Sequence, residues 1–157
     1  MTAPRAVAID LDGALGDTRP LWNDWLASAK AILGVASSAL PDDRGEAAAE
    51  LDRRGTGNWR TLLERFCEDR APVYLRRDAA TSAALRTLAT RAREIGVFTD
   101  APEPLARIAL AQLGAGRRVT AVEAGAGSLE RLLSTLGTDA VVIRTHDELR
   151  AIAKEPK

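Results

Sequence analysis

The 157-residue sequence is poor in lysine, cysteine, histidine and aromatic residues. Only three of its 22 basic residues are lysine, and a strong preference for arginine is typical of a GC-rich bacterial genome. The single cysteine, Cys67, has no partner for a disulfide within the chain, which favours a reducing cytoplasm. We expect Cys67 to be a small apolar residue on a helix rather than a reactive thiol.

The sequence also lacks a net charge and long apolar runs. Its 22 acidic residues balance its 22 basic residues, so no overall field attracts nucleic acid or an acidic membrane surface. No apolar stretch approaches the roughly 20 residues that span a bilayer, and the N-terminus has no hydrophobic signal segment. We therefore expect a soluble, cytoplasmic protein with neither nucleic acid nor a membrane as a partner.

One stretch stands out against this background, "AVAIDLDGALGDT" at residues 6–18. Ala6 to Ile9 are typical of a buried strand, and the glycine after the second aspartate indicates a turn. Asp10 and Asp12 are two residues apart, so strand alternation directs them to the same side. Two carboxylates in that position repel each other unless a cation or a shared proton stabilises them, which indicates a functional site.

The pattern along the chain predicts an α/β fold. Helices are predicted at 18–33, 43–54 and 58–71, and Pro72 marks a boundary. Beyond it, helical patterns alternate with short apolar runs, which predicts a Rossmann-like parallel sheet of about four strands. We expect an α/β core of residues 1–15 and 72–157 with a helical cap, residues 16–71, inserted after strand one. Strands are predicted at 5–11, 95–100, 117–123 and 139–145, and later helices at 78–95, 102–114, 128–137 and 146–154.

The first predicted helix carries an apolar stripe that includes Trp22, Trp25 and Ile32. The tryptophans are candidates for the wall of a ligand site, but core packing is the favoured interpretation. The predicted sheet stops at its fourth strand, which leaves one edge of that strand uncovered. We expect weak self-association at that edge, or its coverage by the C-terminal helix.

Polar side chains follow each predicted strand at its carboxyl end, where open parallel sheets form their sites. Asp10 and Asp12 follow strand one, and Thr99 and Asp100 follow strand two. Carboxylates in such a group are natural ligands for Mg²⁺, and one of them can attack phosphorus to give an acyl phosphate. The remaining candidates at this edge are Glu123, Arg144, Thr145, His146 and Asp147.

Two of these motifs resemble those of the haloacid dehalogenase superfamily. "DLDGALGDT" resembles the first motif, DxDGTLxD, and "IGVFTD" resembles the second, an apolar strand that ends in threonine or serine. Residues 74–102 are similar to the same region of phosphoglycolate-phosphatase-like members, which carry a small helical cap after motif one. The resemblance implies that Asp10 is the nucleophile and a magnesium ligand. It implies that Asp12 is the general acid and base, with its carbonyl on the metal, and that Thr99 and Asp100 bind the phosphorylated substrate.

The second half departs from the family pattern. Glu123 stands where the charge-neutralising lysine of the third motif belongs, and no lysine lies between Lys30 and Lys154. Arg117 and Arg118 are expected at the far end of their strand, as solvated charges.

The fourth motif is also incomplete. Arg144 and Thr145 replace its acidic pair, which leaves Arg144 as a candidate for the missing positive charge. Asp147 is interpreted as the N-cap of the last helix, with a ligand role as the alternative. His146, the only histidine, is interpreted as incidental.

Two functions follow from this mixed pattern. The first is a slow, magnesium-dependent phosphatase of a small phosphorylated metabolite, with a weak metal site. The second is a degenerate relative that binds a phosphorylated ligand or a protein without turnover.

Overall fold

The computed structural model describes residues 5–35 and 39–155. These residues form seven α-helices and four β-strands. Three helices follow the first strand, and helices then alternate with the other three strands, as the sequence predicts. Within the described ranges, no helix is both long and apolar enough to span a bilayer. The elements are β1 Val7–Asp10, α1 Arg19–Leu33, α2 Arg44–Arg53, α3 Trp59–Tyr74, α4 Ala79–Ala89, β2 Ile95–Thr99, α5 Glu103–Leu113, β3 Ala121–Ala124, α6 Ser128–Leu136, β4 Val141–Ile143 and α7 His146–Ala153.

The four strands form one parallel sheet in the order β3-β2-β1-β4. Val7 of β1 lies opposite Ile95 of β2 on one side and Val141 of β4 on the other. This confirms the α/β fold with a four-stranded parallel sheet. It also places β4 at an edge, as predicted, and self-association there stays a prediction.

The two faces of the sheet are covered differently. Val7 and Ile9 of β1 point into the larger core, whereas Ala8 points to the face covered by α6. The small side chains on that face let α6 approach closely, since a Cβ on Gly96 would lie 2.6 Å from a methyl of Leu132. Close packing of this kind fixes the height of α6, and therefore of the loop before it, above the sheet.

Helices α1 and α3 pack together through their tryptophans. The ring centroids of Trp22 and Trp25 are 5.2 Å apart, and those of Trp25 and Trp59 are 6.0 Å apart. All three residues are buried, which confirms the core interpretation. Ile32 is 72% exposed, so its place on the buried stripe is wrong, because the last turn of α1 lies largely in solvent.

Several predicted boundaries differ from the structure. The helix predicted at 78–95 ends at Ala89, and the strand predicted at 139–145 spans only Val141–Ile143. α3 continues through Pro72 to Tyr74, because a proline near a helix end removes only one backbone bond, and the amide of Leu75 still donates to the carbonyl of Ala71 at 2.8 Å. The third strand begins at Ala121 rather than at 117, since residues 116–118 form a 3₁₀ turn. Arg117 and Arg118 therefore precede β3, at the end of the sheet opposite the predicted site.

Candidate active site

The turn after β1 brings Asp10 and Asp12 together. The amide of Asp12 donates to Oδ1 of Asp10 at 3.1 Å, and the amide of Gly16 closes the turn on the carbonyl of Leu11. Gly13 has a φ of +108°, and a Cβ there would lie 2.6 Å from the carbonyl oxygen of Arg144. The glycine of the motif is thus required both by its backbone conformation and by its contact with the segment after β4.

Asp12 is almost completely enclosed by hydrogen-bond donors. Its Oδ1 accepts from the backbone amide of Thr18 at 2.8 Å and from the Thr18 hydroxyl at 2.6 Å. Its Oδ2 accepts from the Thr99 hydroxyl at 2.8 Å and from the Arg44 guanidinium at 2.5 Å. Four donors fill the acceptor positions of the carboxylate, which leaves none of them for a substrate in this arrangement.

Sequence reasoning missed two residues of this site, Thr18 and Arg44. Arg44 is the more important of them for the charge of the site. It is the first residue of α2, and its side chain is only 3% exposed. The guanidinium donates to Oδ1 of Asp100 at 2.8 and 3.2 Å and to the Thr18 hydroxyl at 2.6 Å. Its position carried a signal, because a cation at the start of a helix opposes the macrodipole and needs another reason to be there.

The contacts of Arg44 also set the charges around it. Burial lowers the pKa of Arg44, but the hydrogen bonds to Asp100 and the charge of Asp12 outweigh this effect, and the net shift is upward. Burial likewise raises the pKa of Asp100, but the hydrogen bonds from Arg44 outweigh it, and the net shift is downward. Arg44 and Asp100 are therefore held as an ion pair.

Asp10 differs from Asp12 in keeping an oxygen that faces solvent. Burial raises the pKa of Asp10 to about 6, and the charges of Asp12 and Asp100 add to that rise. Its Oδ2 lies 3.8 Å from a guanidinium nitrogen of Arg144, and its side chain is 21% exposed. Asp10 is thus the carboxylate of this group that is available for chemistry.

A cleft of about 470 Å³ opens above these residues. It brings together the predicted site residues Asp10, Thr99 and Asp100, with Arg144 at its rim, while Asp12 lies beneath it; their roles in catalysis and binding stay predictions. One wall is formed by α2, where a Cβ on Gly45 would lie 2.7 Å from the backbone nitrogen of Ala126. The other lining residues are Asp43, Glu46, Phe98, Gly125, Ala126, Gly127, Ser128, Leu129 and Glu130.

Glu123 does not line this cleft. Its carboxylate accepts from Nε of Arg131 on α6 at 3.1 Å, and the same guanidinium donates to the carbonyl oxygens of Ala124 and Ala126. Glu123 therefore belongs to an ion pair that fastens α6 to the loop after β3.

The residues after β4 differ in whether they reach the cleft. The prediction that Asp147 is the N-cap of α7 is wrong: the N-cap is Thr145, whose hydroxyl accepts the amide hydrogen of Glu148 at 3.1 Å. His146 contacts Thr81 at 2.9 Å, so it joins α7 to α4 and does not line the cleft. Of this segment, only Arg144 lines the cleft.

Comparison with known proteins identifies the fold. No family model and no curated protein sequence matches the chain. A haloacid dehalogenase-like family hydrolase from Streptococcus pneumoniae has a similar structure, with a TM-score of 0.60 and 15% identity over 98% of this chain and 80% of that one. The chain has the haloacid dehalogenase-like fold. A protein described as a beta-phosphoglucomutase from Thermotoga maritima is also similar, with a TM-score of 0.54 and 17% identity over 95% of this chain and 81% of that one.

Members of the haloacid dehalogenase superfamily generally use Mg²⁺. The question for this chain is whether its side chains at the site can coordinate that ion. Mg²⁺ needs carboxylate oxygens that are free to coordinate it. The oxygens of Asp12 and Asp100 are bound by Arg44, Thr18 and Thr99, and Arg144 stands 3.8 Å from the remaining oxygen of Asp10. Within residues 5–35 and 39–155, no group of three or more acidic, histidine or cysteine side chains is arranged to hold a metal. These side-chain donors do not fit a resident magnesium ion.

Proposed function

We propose that this protein is a slow phosphohydrolase of small phosphorylated metabolites, in which Asp10 is the nucleophile. The observation that supports this most directly is the position of Asp10. Its Oδ2 faces the cleft and has the cationic Arg144 3.8 Å away. The haloacid dehalogenase-like fold and the two motifs on β1 and β2 are consistent with phosphate chemistry.

In the proposed reaction, an oxygen of Asp10 attacks phosphorus and the bond from phosphorus to the ester oxygen breaks. The leaving alkoxide or aryloxide takes a proton from water to become the free alcohol or phenol. The product is an aspartyl phosphate, which water hydrolyses to return free Asp10 and inorganic phosphate. Arg144 stabilises the negative charge that develops on the phosphoryl oxygens. The fold family's magnesium ion is not part of this proposal, because the donors beside Asp10 do not fit it.

Turnover is expected to be slow because the general acid is not free. Asp12, the expected general acid, is occupied by Thr18, Thr99 and Arg44 and donates no proton to a leaving group in this arrangement. An activated leaving group needs little protonation, so we expect aryl phosphates to react faster than alkyl phosphates.

A second candidate function is binding of a phosphorylated ligand without turnover. The observation that favours it is the same enclosure of Asp12 by four donors, together with the pairing of Glu123 with Arg131 away from the cleft. In this case Arg144 binds the ligand, and Asp10 has no catalytic role.

Hydrolysis of p-nitrophenyl phosphate separates the two candidates. We expect slow hydrolysis by the wild type in EDTA and none by Asp10→Asn, which keeps the shape of the side chain but not its charge. Asp69→Asn is the matched control, because Asp69 is an exposed aspartate of α3 that, among the described residues, pairs only with the exposed Arg70. Phosphate binding without hydrolysis by the wild type would favour the second candidate, and equal activity in Asp10→Asn would refute the proposed mechanism.

A further inference from the structure

We propose that the guanidinium of Arg44 is the built-in counter-charge of the carboxylates at this edge of the sheet, in the role that a divalent cation would otherwise fill. This role of Arg44 goes beyond the hydrolysis proposed above, because it concerns which cation the site holds before any substrate binds.

Three carboxylates meet at this place. The charges of Asp12 and Asp100 both act on Asp10, and each of them disfavours its ionisation. Such a cluster is stable only if positive charge is close to it. Arg44 lies within hydrogen-bond distance of both Asp12 and Asp100, at 2.5 and 2.8 Å, so it supplies that charge from inside the protein.

Arg44 binds side-chain oxygens of Asp12 and Asp100, which are the kind of oxygen that a divalent cation prefers. Both oxygens of Asp100 are engaged, Oδ1 by the guanidinium and Oδ2 by the backbone amide of Arg44 at 3.0 Å. Oδ2 of Asp12 is engaged as well. A divalent cation at this cluster and Arg44 therefore compete for the carboxylates of Asp12 and Asp100, and the arginine, which is covalently part of the chain, is always present.

The arginine reaches the carboxylates because of how α2 is placed. Its backbone amide and its side chain both bind Asp100, so the first residue of α2 is fixed at two points. Close contact between Gly45 and Ala126 holds the same helix end against the loop after β3. The positive charge therefore comes from α2, one of the helices that follow β1, and not from the sheet or from the loops at the ends of its strands.

Metal binding without substrate tests this proposal. Isothermal titration with Mg²⁺ and Mn²⁺ is compared for the wild type, Arg44→Gln and Arg60→Gln. Arg60 is the matched control, because it is an arginine of α3 that pairs with Asp52 in solvent. We expect only weak binding, at millimolar metal, by the wild type and Arg60→Gln. The affinity of Arg44→Gln should be at least about tenfold higher, since the freed oxygens of Asp12 and Asp100 then accept the ion.

Further variants check the origin of any gain. Adding Asp12→Asn to Arg44→Gln removes one of the freed carboxylates and should abolish the new metal binding. Arg44→Lys keeps the positive charge, so it should fold and bind no more metal than the wild type. If Arg44→Gln is unfolded in EDTA, recovery of its circular dichroism in Mg²⁺ or Mn²⁺ would support the proposal equally well.

The proposal is overturned by any of three results. The first is wild-type affinity for Mg²⁺ or Mn²⁺ equal to that of Arg44→Gln. The second is an Arg44→Gln protein that gains no affinity, or that stays unfolded at every metal concentration. The third is metal binding by Arg44→Lys as tight as by Arg44→Gln. Because no substrate is present, none of these results depends on whether the protein hydrolyses phosphate esters.

Discussion

The guanidinium of Arg44 lies 2.5 Å from Oδ2 of Asp12, and the two side chains are only 3% and 8% exposed. The ion pair connects the first residue of α2 with the turn after β1. A charge pair so deeply buried is sensitive to the loss of either partner, because the remaining charge has neither water nor a counter-ion. It therefore controls both the stability of the protein and the chemistry available to Asp12.

Replacement of Arg44 by methionine should destabilise the protein strongly. It leaves Asp12 and Asp100 without their cation, and loss of one partner of a buried pair costs about 3–5 kcal/mol in the free energy of unfolding. Urea denaturation followed by circular dichroism measures this difference. Arg19→Met, which removes an exposed pair with Asp17, should cost less than about 1 kcal/mol, and equal losses in the two variants would contradict the importance of burial.

The hydrolytic activity should decline at mildly acidic pH. Burial raises the pKa of Asp10 from 3.8 to about 6, and only the ionised carboxylate attacks phosphorus. We expect kcat/KM for p-nitrophenyl phosphate to fall as the pH is lowered through about 6. A profile that stays flat down to pH 4.5 would show that Asp10 is not the ionising nucleophile.

The same shift predicts a stabilising effect of Asp10→Asn near neutral pH. The pKa of Asp10 is higher in the folded state than its value of 3.8 in the unfolded state, so the folded protein binds more protons between these values. Its ionisation therefore lowers the free energy of unfolding above pH 6, and this cost disappears below about pH 3.8. Because part of the side chain is exposed to solvent, we expect Asp10→Asn to be more stable by about 1–2 kcal/mol at pH 7.5 and by much less at pH 3.5. If Asp10→Asn gained more free energy of unfolding at pH 3.5 than at pH 7.5, the raised pKa of Asp10 would be contradicted.

Substitution of Arg144, and not of Glu123, should change the rate of turnover. Glu123→Lys, which restores the family's lysine, should leave kcat unchanged, because Glu123 pairs with Arg131 outside the cleft. Arg144→Gln should lower kcat by about tenfold or more, since it removes the cation nearest to the Asp10 carboxylate at the cleft. A rise in kcat for Glu123→Lys would mean that residue 123 reaches the phosphoryl group.

Gly45→Ala should loosen the contact of α2 with the loop after β3. The added methyl would lie 2.7 Å from the backbone nitrogen of Ala126, and neither backbone can move without disturbing Arg44 or the cleft. We expect a loss of about 1–3 kcal/mol in the free energy of unfolding. Gly116→Ala is the control, because no atom lies within 4 Å of its added methyl and its φ is not positive. Similar stability of the two variants would show that α2 is not packed as described.

Local patterns determined where most elements begin and end. Gly34 ends α1 in the left-handed conformation, and the carboxylate of Asp43 caps α2 by accepting from the amide of Glu46 at 2.9 Å. The cap of α7 was predicted wrongly, because Asp147 and Thr145 are both acceptable caps and the preference between them depends on where β4 ends. Ile32 was predicted wrongly because periodicity shows which side of a helix is apolar but not how far its partner extends.

The sequence by itself determined the sheet, the acidic turn after β1 and the convergence of Asp10, Asp12, Thr99 and Asp100. Strand alternation is local, and strands that alternate with helices form a parallel sheet whose carboxyl ends share one edge. Only the tertiary structure decided what those carboxylates face. Arg44 is 32 residues from Asp12 and 56 residues from Asp100 along the chain, and no periodicity connects residues at such distances. Their pairing depends on how α2 packs on the loops of the sheet, and that packing is set by the whole core rather than by the residues around Arg44.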